Sequence, residues 1–191
     1  MNRLRKKRWF ALVLVVVLLL LFYNSTWLGK MMYPIHYRDG IEASAKKHGI
    51  DPLLVAAIIR VESNYKAEPR SKKGAVGIMQ IMPDTAEWLF EREGFRSFSL
   101  ADLDDPYKNI EVGTKYLDLL SRQFKDKLPQ VIAAYNAGPG NVTKWLQNGT
   151  WDGELSHSAQ IPFWETRGYV DRVWYYYKKY MNIYADDDNA I

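Results

Sequence analysis

The chain has 191 residues, no cysteine and a formal net charge of +4. That length suits one domain with an appendage, and the missing thiol excludes disulfides, a thiolate nucleophile and a lipidated-cysteine anchor. Five of the 26 lysines and arginines (Arg3, Arg5, Lys6, Lys7 and Arg8) open the chain, leaving 21 against 22 acidic residues, so the rest is near neutral and nucleic acid is not an expected partner.

Residues 1–8 read as a basic cytoplasmic tail and residues 9–28 as a transmembrane signal anchor. Trp9 to Phe22 is uncharged and largely aliphatic, and Trp27 supplies a second interfacial tryptophan. Basic residues ahead of such a span keep the N-terminus inside and export the chain beyond the span. A cleaved signal peptide shows the same basic-then-apolar order. No A-x-A-like site follows Phe22, which favours the uncleaved form, and both forms export the rest. Residues 29–36 read as a short stalk, 37–184 as the exported domain and 185–191 as an acidic tail. With 13 Tyr and 7 Trp in the chain, that domain has the bulk for a core without disulfides.

Ile41, Ala45 and His48 recur at helical spacing after Tyr37, and Gly49 stops that helix. Asp51 and Pro52 cap and open the next, whose run from Leu53 to Val61 is broken only by Arg60. A helix apolar nearly all round is a buried helix. Residues 64–76 are polar and basic, a loop. Residues 77–82 read either as a strand or as the lead-in to a helix opened by Pro83 and closed by Gly94. Asp105-Pro106 starts a helix with Ile110, Gly113, Leu117, Leu120 and Phe124 on one face. A small-residue helix over 129–135 stops at Asn136-Ala137-Gly138-Pro139-Gly140, and one or two turns follow over 141–146. Thr166 to Tyr184 closes the domain as a helix with Tyr169, Val170, Val173, Trp174, Tyr177, Tyr180 and Met181 at helical spacing. The pattern predicts a mostly α, single compact domain.

Glu62 ends the apolar helix, where the macrodipole is negative and water is scarce. Both conditions disfavour the carboxylate and raise its pKa toward that of a proton donor at neutral pH. Taken alone, a solvent-facing glutamate at an ordinary helix end is the plainer reading. Three other segments stand beside it: Gly74 to Pro83 with Gly77-Ile78-Met79-Gln80 at its centre, Ala134-Tyr135-Asn136-Ala137-Gly138-Pro139, and Pro162-Phe163-Trp164-Glu165-Thr166-Arg167-Gly168-Tyr169-Val170. Taken singly, the methionines read as core filler, the Asn-Ala-Gly-Pro as a helix stop and Tyr169 as a core tyrosine. Together they supply uncharged donors, acceptors and aromatic walls, which suit sugar hydroxyls and N-acetyl groups. His36, His48 and His157 show no metal-ligand spacing and no Gly-rich phosphate loop occurs, so neither metal nor cofactor is expected.

In this order, Glu62-Ser63 and the three segments resemble the four motifs of the soluble lytic transglycosylase domain, glycoside hydrolase family 23, over roughly Tyr37 to Tyr180. The resemblance implies an α+β lysozyme-like fold with a groove for peptidoglycan glycan strands. It implies Glu62 as the catalytic acid and base, with Ser71, Met79, Gln80, Tyr135 and Asn136 along the groove. Glu165 and Tyr169 would support the site from the closing helix. The chain departs from the family's pattern at Ala67, Pro69 and Ile78.

The implied reaction cleaves the β-1,4 bond between N-acetylmuramic acid and N-acetylglucosamine without water. Glu62 protonates the leaving oxygen, then takes a proton from the C6 hydroxyl as a 1,6-anhydro ring closes. A goose-type lysozyme-like hydrolase and a non-catalytic, membrane-tethered glycan-binding module are the alternatives. Beyond glycan and membrane, the implied partners are wall or secretion complexes.

Overall fold

Residues 3–23, 26–67 and 70–184 are described by a computed structural model. Their helices are α1 (Arg3–Tyr23), α2 (Thr26–Met32), α3 (Arg38–His48), α4 (Pro52–Glu62), α5 (Pro83–Arg92), α6 (Pro106–Gln123), α7 (Leu128–Ala137), α8 (Pro139–Gln147) and α9 (Trp164–Tyr184). Short 3-10 helices cover Leu100–Asp104 and Leu155–Gln160. The expectation of a mostly helical domain holds.

The apolar sequence of α4 places it at the centre. Leu54 to Ile59 are all 2% exposed or less. Helices α9 and α3 flank α4; α3 rests on α6, and α7 packs on α6, α8 and α9. Each fully buried aliphatic side chain contributes about 1.5–3 kcal/mol, and several of them together hold an ionisable group at the helix end despite its desolvation. The start of α4 follows its cap: the Asp51 carboxylate accepts from the Leu53 amide at 2.8 Å, with Pro52 in the first turn.

Residues 77–82 form neither strand nor helix. They belong to a tight turn in which Val76 and Ile81 exchange both backbone hydrogen bonds, each 2.9 Å long. The segment after the small-residue helix is a full helix, α8, because Gly138 turns the chain at φ 83° and Pro139 opens a new first turn.

Residues 29–36 do not form a free stalk: α2 packs on α9, and the Tyr184 hydroxyl donates to the Tyr33 carbonyl at 3.0 Å. Among the described residues no helix is long and apolar enough to cross a membrane. Helix α1 begins with basic residues, and its uncharged part from Trp9 to Phe22 covers roughly 20 Å, short of a ~30 Å hydrocarbon core. Residues 24–25 of the expected span and the tail at 185–191 lie outside the described residues.

Candidate active site

Glu62 is the last residue of α4, and the chain turns sharply just past it. Asn64 and Tyr65 both adopt left-handed backbone, at φ 54° and 61°. Tyr65 folds back so that its hydroxyl donates to the Ala56 carbonyl at 3.0 Å. Ser63 caps the helix, and its hydroxyl donates to the Ile78 carbonyl at 2.7 Å, which ties the end of α4 to the Val76–Ile81 turn. The Tyr169 hydroxyl, from α9, donates to Glu62 Oε1 at 2.7 Å.

Burial pushes the Glu62 carboxyl up to about 7. The Tyr169 hydrogen bond and the positive charge of Arg172 act in the opposite direction, and the negative charge of Glu165 adds to the rise. A carboxylic acid in that range holds its proton near neutral pH and releases it with little driving force either way. The Tyr135 and Tyr169 hydroxyls stay protonated, because burial holds both well above the usual phenol range.

The turn supplies the next wall. Gly77, at φ 76°, lies against α6 so closely that a Cβ would stand 2.1 Å from Asn109 Nδ2. Gln80 closes the turn at φ 50°, and its side-chain amide donates to the Gly77 carbonyl at 2.8 Å. From α7, the Tyr135 hydroxyl donates to the Met79 carbonyl at 3.0 Å.

These elements surround an open cleft of about 750 Å³, lined by Glu62, Ser71, Gln80, Tyr135 and Asn136 and by Phe163, Trp164, Glu165 and Thr166. A second hollow of about 250 Å³ shares Gln80, Met82, Tyr135, Asn136 and Ala137 with it, so the two form one groove continuing toward Thr85 and Tyr116.

The structure therefore brings Glu62, Ser71, Gln80, Tyr135, Asn136 and Glu165 to one groove. Ser71 shapes its loop, its hydroxyl accepting from the Ala75 amide at 3.0 Å. Glu165 sits at the exposed rim in an ion pair with Lys73, 2.7 Å across the cleft mouth. One expected groove residue lies elsewhere. Met79 is fully buried, with its sulfur facing Gly113, where a Cβ would come within 2.5 Å. Only its carbonyl reaches toward the site. Tyr169, expected to support the site from the closing helix, is 3% exposed and stands behind Glu62.

Sequence reasoning missed Asn109 and Lys73, and gave no individual role to Trp164 and Thr166 within the segment it singled out. Thr166 donates to Asn136 Oδ1 at 2.7 Å and so orients that amide. Trp164, 81% exposed, stands at the rim beside Phe163, whose ring packs edge-on against Trp145. Asn109 carried a signal: it lies one helical turn before Gly113, on the side of α6 that is otherwise apolar. Among the described residues no group of three or more His, Asp or Glu side chains is arranged to hold a metal ion. His48 meets Glu111 at 3.0 Å, and His157 meets Asp152 at 2.6 Å.

The family model described as the transglycosylase SLT domain matches residues 39–156. The chain is similar to the soluble lytic murein transglycosylase of Escherichia coli K12, with 37% identity over 158 residues that cover 81% of this chain and 24% of that protein. It is similar to the membrane-bound lytic murein transglycosylase C of Actinobacillus pleuropneumoniae, with 32% identity over 168 residues that cover 77% of this chain and 46% of that protein. Among solved structures, the crystal structure of the 70 kDa soluble lytic transglycosylase from Escherichia coli superposes with a TM-score of 0.77 and 34% identity, over 85% of this chain and 27% of that one. The chain thus spans about a quarter of the soluble curated relative.

Proposed function

We propose, for a chain that belongs to the transglycosylase SLT domain family, a peptidoglycan lytic transglycosylase that cuts between N-acetylmuramic acid and N-acetylglucosamine with Glu62 as acid and then base. The observation that carries this reading is Glu62 itself, raised to about 7 by burial and opening on a groove that offers Ser71, Gln80, Tyr135, Asn136 and Thr166 as uncharged polar groups beside Lys72, Lys73 and Glu165.

In the proposed mechanism Glu62 donates its proton to the glycosidic oxygen as positive charge builds on the muramic ring. The ring's own acetamido group stabilises that charge. Glu62, now ionised, removes the proton from the C6 hydroxyl, and O6 bonds to C1 to close the 1,6-anhydro ring. Intramolecular attack benefits from high effective molarity. Most glycosidases employ a second carboxylate. In this groove the other lining carboxylate, Glu165, is held by Lys73 at the rim, which favours the one-carboxylate route. Gln80, Tyr135 and Asn136 offer uncharged hydrogen-bonding groups to the sugars, and Trp164 an exposed aromatic face. Tyr169 holds the Glu62 carboxyl in place.

The test is mass spectrometry of peptidoglycan digested by the chain and by its Glu62→Gln variant. Anhydro-muramyl products that resist borohydride, absent with the variant, are the expected result. Reducing ends would assign the protein to the lysozymes, and sacculus binding without products would leave a glycan-binding module.

We further infer that α1 holds this domain at a membrane, with the groove on the outer side. Its apolar side chains from Trp9 to Leu20 are 44% exposed or more, Ala11 aside. Basic side chains at its start reach back to headgroups, which lengthens the helix that a bilayer accommodates. Resistance of the chain to alkaline extraction, and its release when residues 1–23 are removed, are expected; a wild-type chain found in the soluble fraction refutes the tether.

A further inference from the structure

Asn109 belongs to none of the four motif segments, yet it is the most fully engaged buried polar side chain near the groove. It is 0% exposed on α6. Its Nδ2 donates to the Val76 carbonyl and to the Leu103 carbonyl, each at 3.0 Å, and its Oδ1 accepts from the Met79 amide at 2.8 Å. Both amide hydrogens are used, and no side chain other than Asn or Gln offers two donors and an acceptor without charge. Gln adds a methylene, and there is no room for one beneath Gly77.

The two groups it holds on the Val76–Ile81 turn are the Val76 carbonyl, at the turn's first residue, and the Met79 amide, directly before Gln80. On the far side of the same turn, the Ile78 carbonyl accepts from Ser63, next in sequence to Glu62. The Met79 carbonyl accepts from Tyr135, and Gln80 projects into the cleft. The Asn109 amide thus sets how deep the turn sits on α6, and that depth sets where Gln80 and the Tyr135 hydroxyl stand relative to Glu62.

We infer that Asn109 is a positioning residue for the glycan-cleaving site, acting through the Val76–Ile81 turn without touching substrate. This rests on the proposed transglycosylase reading. A purely structural asparagine would cost stability alone, whereas a positioning one alters the reacting geometry in molecules that remain folded.

The test compares the full chain with Asn109→Ser, and with Leu120→Ala as a core control on the same helix, whose side chain is 1% exposed and outside the turn and the groove lining. Substrate is purified sacculi, assayed well below every melting temperature. Asn109→Ser is expected to lower kcat/KM by about tenfold or more, as misplacement of reacting groups does. Leu120→Ala should stay within about twofold even with an equal fall in Tm. Hydrogen exchange supplies a second readout: the Met79 and Ile81 amides should exchange faster in Asn109→Ser only. If Asn109→Ser does not fold, Asn109→Asp, which keeps the acceptor for Met79 and loses the two amide donors, is read in the same way. Equal activity of the asparagine variant and the control, with unchanged exchange in the turn, overturns the inference. An inactive wild-type chain refutes the transglycosylase reading instead, and exchange in the turn still reports whether Asn109 holds it.

Discussion

The Tyr169 hydroxyl reaches Glu62 Oε1 at 2.7 Å across 107 residues of sequence. One end of that contact is the last residue of the most buried helix, and the other lies on the helix packed beside it. A phenol that stays protonated can donate to the carboxylate and orient it, but cannot neutralise it. Glu62 therefore keeps both protonation states within reach of neutral pH.

Stability should report the same burial. Glu62 titrates near 4.5 when unfolded and near 7 when folded. The stability associated with its proton is fully present below about 4.5 and is lost as pH rises through about 7. The loss is on the order of 3 kcal/mol at most, from 1.36 kcal/mol per unit of pKa. Glu62→Gln has no such titration, so its melting temperature should exceed that of the wild type by a margin that grows from pH 5 to pH 8. A margin independent of pH would show that Glu62 is not raised.

On the proposed mechanism, activity should decline as pH rises through about 7, when the proton on Glu62 is lost. Tyr169→Phe removes the largest influence that lowers this pKa. The alkaline limb of kcat/KM should therefore move to higher pH in that variant, alongside a lower maximal rate. A limb that stays in place, or moves down, would mean that Tyr169 does not stabilise the ionised form.

Met79→Ala separates core from groove. The side chain is 0% exposed and packed on Gly113, so truncation should cost about 2–5 kcal/mol of stability. Glycan affinity, measured on sacculi below the melting temperature, should change little. A large rise in KM with unchanged stability would return Met79 to the substrate wall.

Trp164→Ala should do the reverse. At 81% exposure the indole contributes little to the core, and its removal should leave Tm within about 1 °C, as for most surface changes. Glycan binding should weaken several-fold, because an aromatic face against a sugar ring is lost. Sacculus pull-down with the two variants side by side distinguishes these cases.

Much of the fold was legible in the residues. Period, cap and proline signals marked α3, α4, α5, α6 and α9, each of which depends on neighbours within a few turns. The Val76–Ile81 turn was ambiguous because its short apolar run suits a strand or a helix lead-in equally, and the contacts of Asn109, Ser63 and Tyr135 that fix it come from segments distant in sequence. The 29–36 segment read as a short stalk because nothing local indicates that Tyr33 meets Tyr184.

By itself the sequence determined that Glu62 would end a buried helix, since apolar residues on every face leave that helix nowhere else to go. It also placed Gln80, Tyr135 and Asn136 in segments rich in turns and uncharged polar groups. Only the tertiary structure decided which of these side chains share a groove, that Met79 turns inward, and that Tyr169 stands behind the carboxyl. The reason is physical: helix formation is governed by neighbours three and four residues apart, whereas the Glu62 environment is set by packing between chain segments that approach only once the core closes.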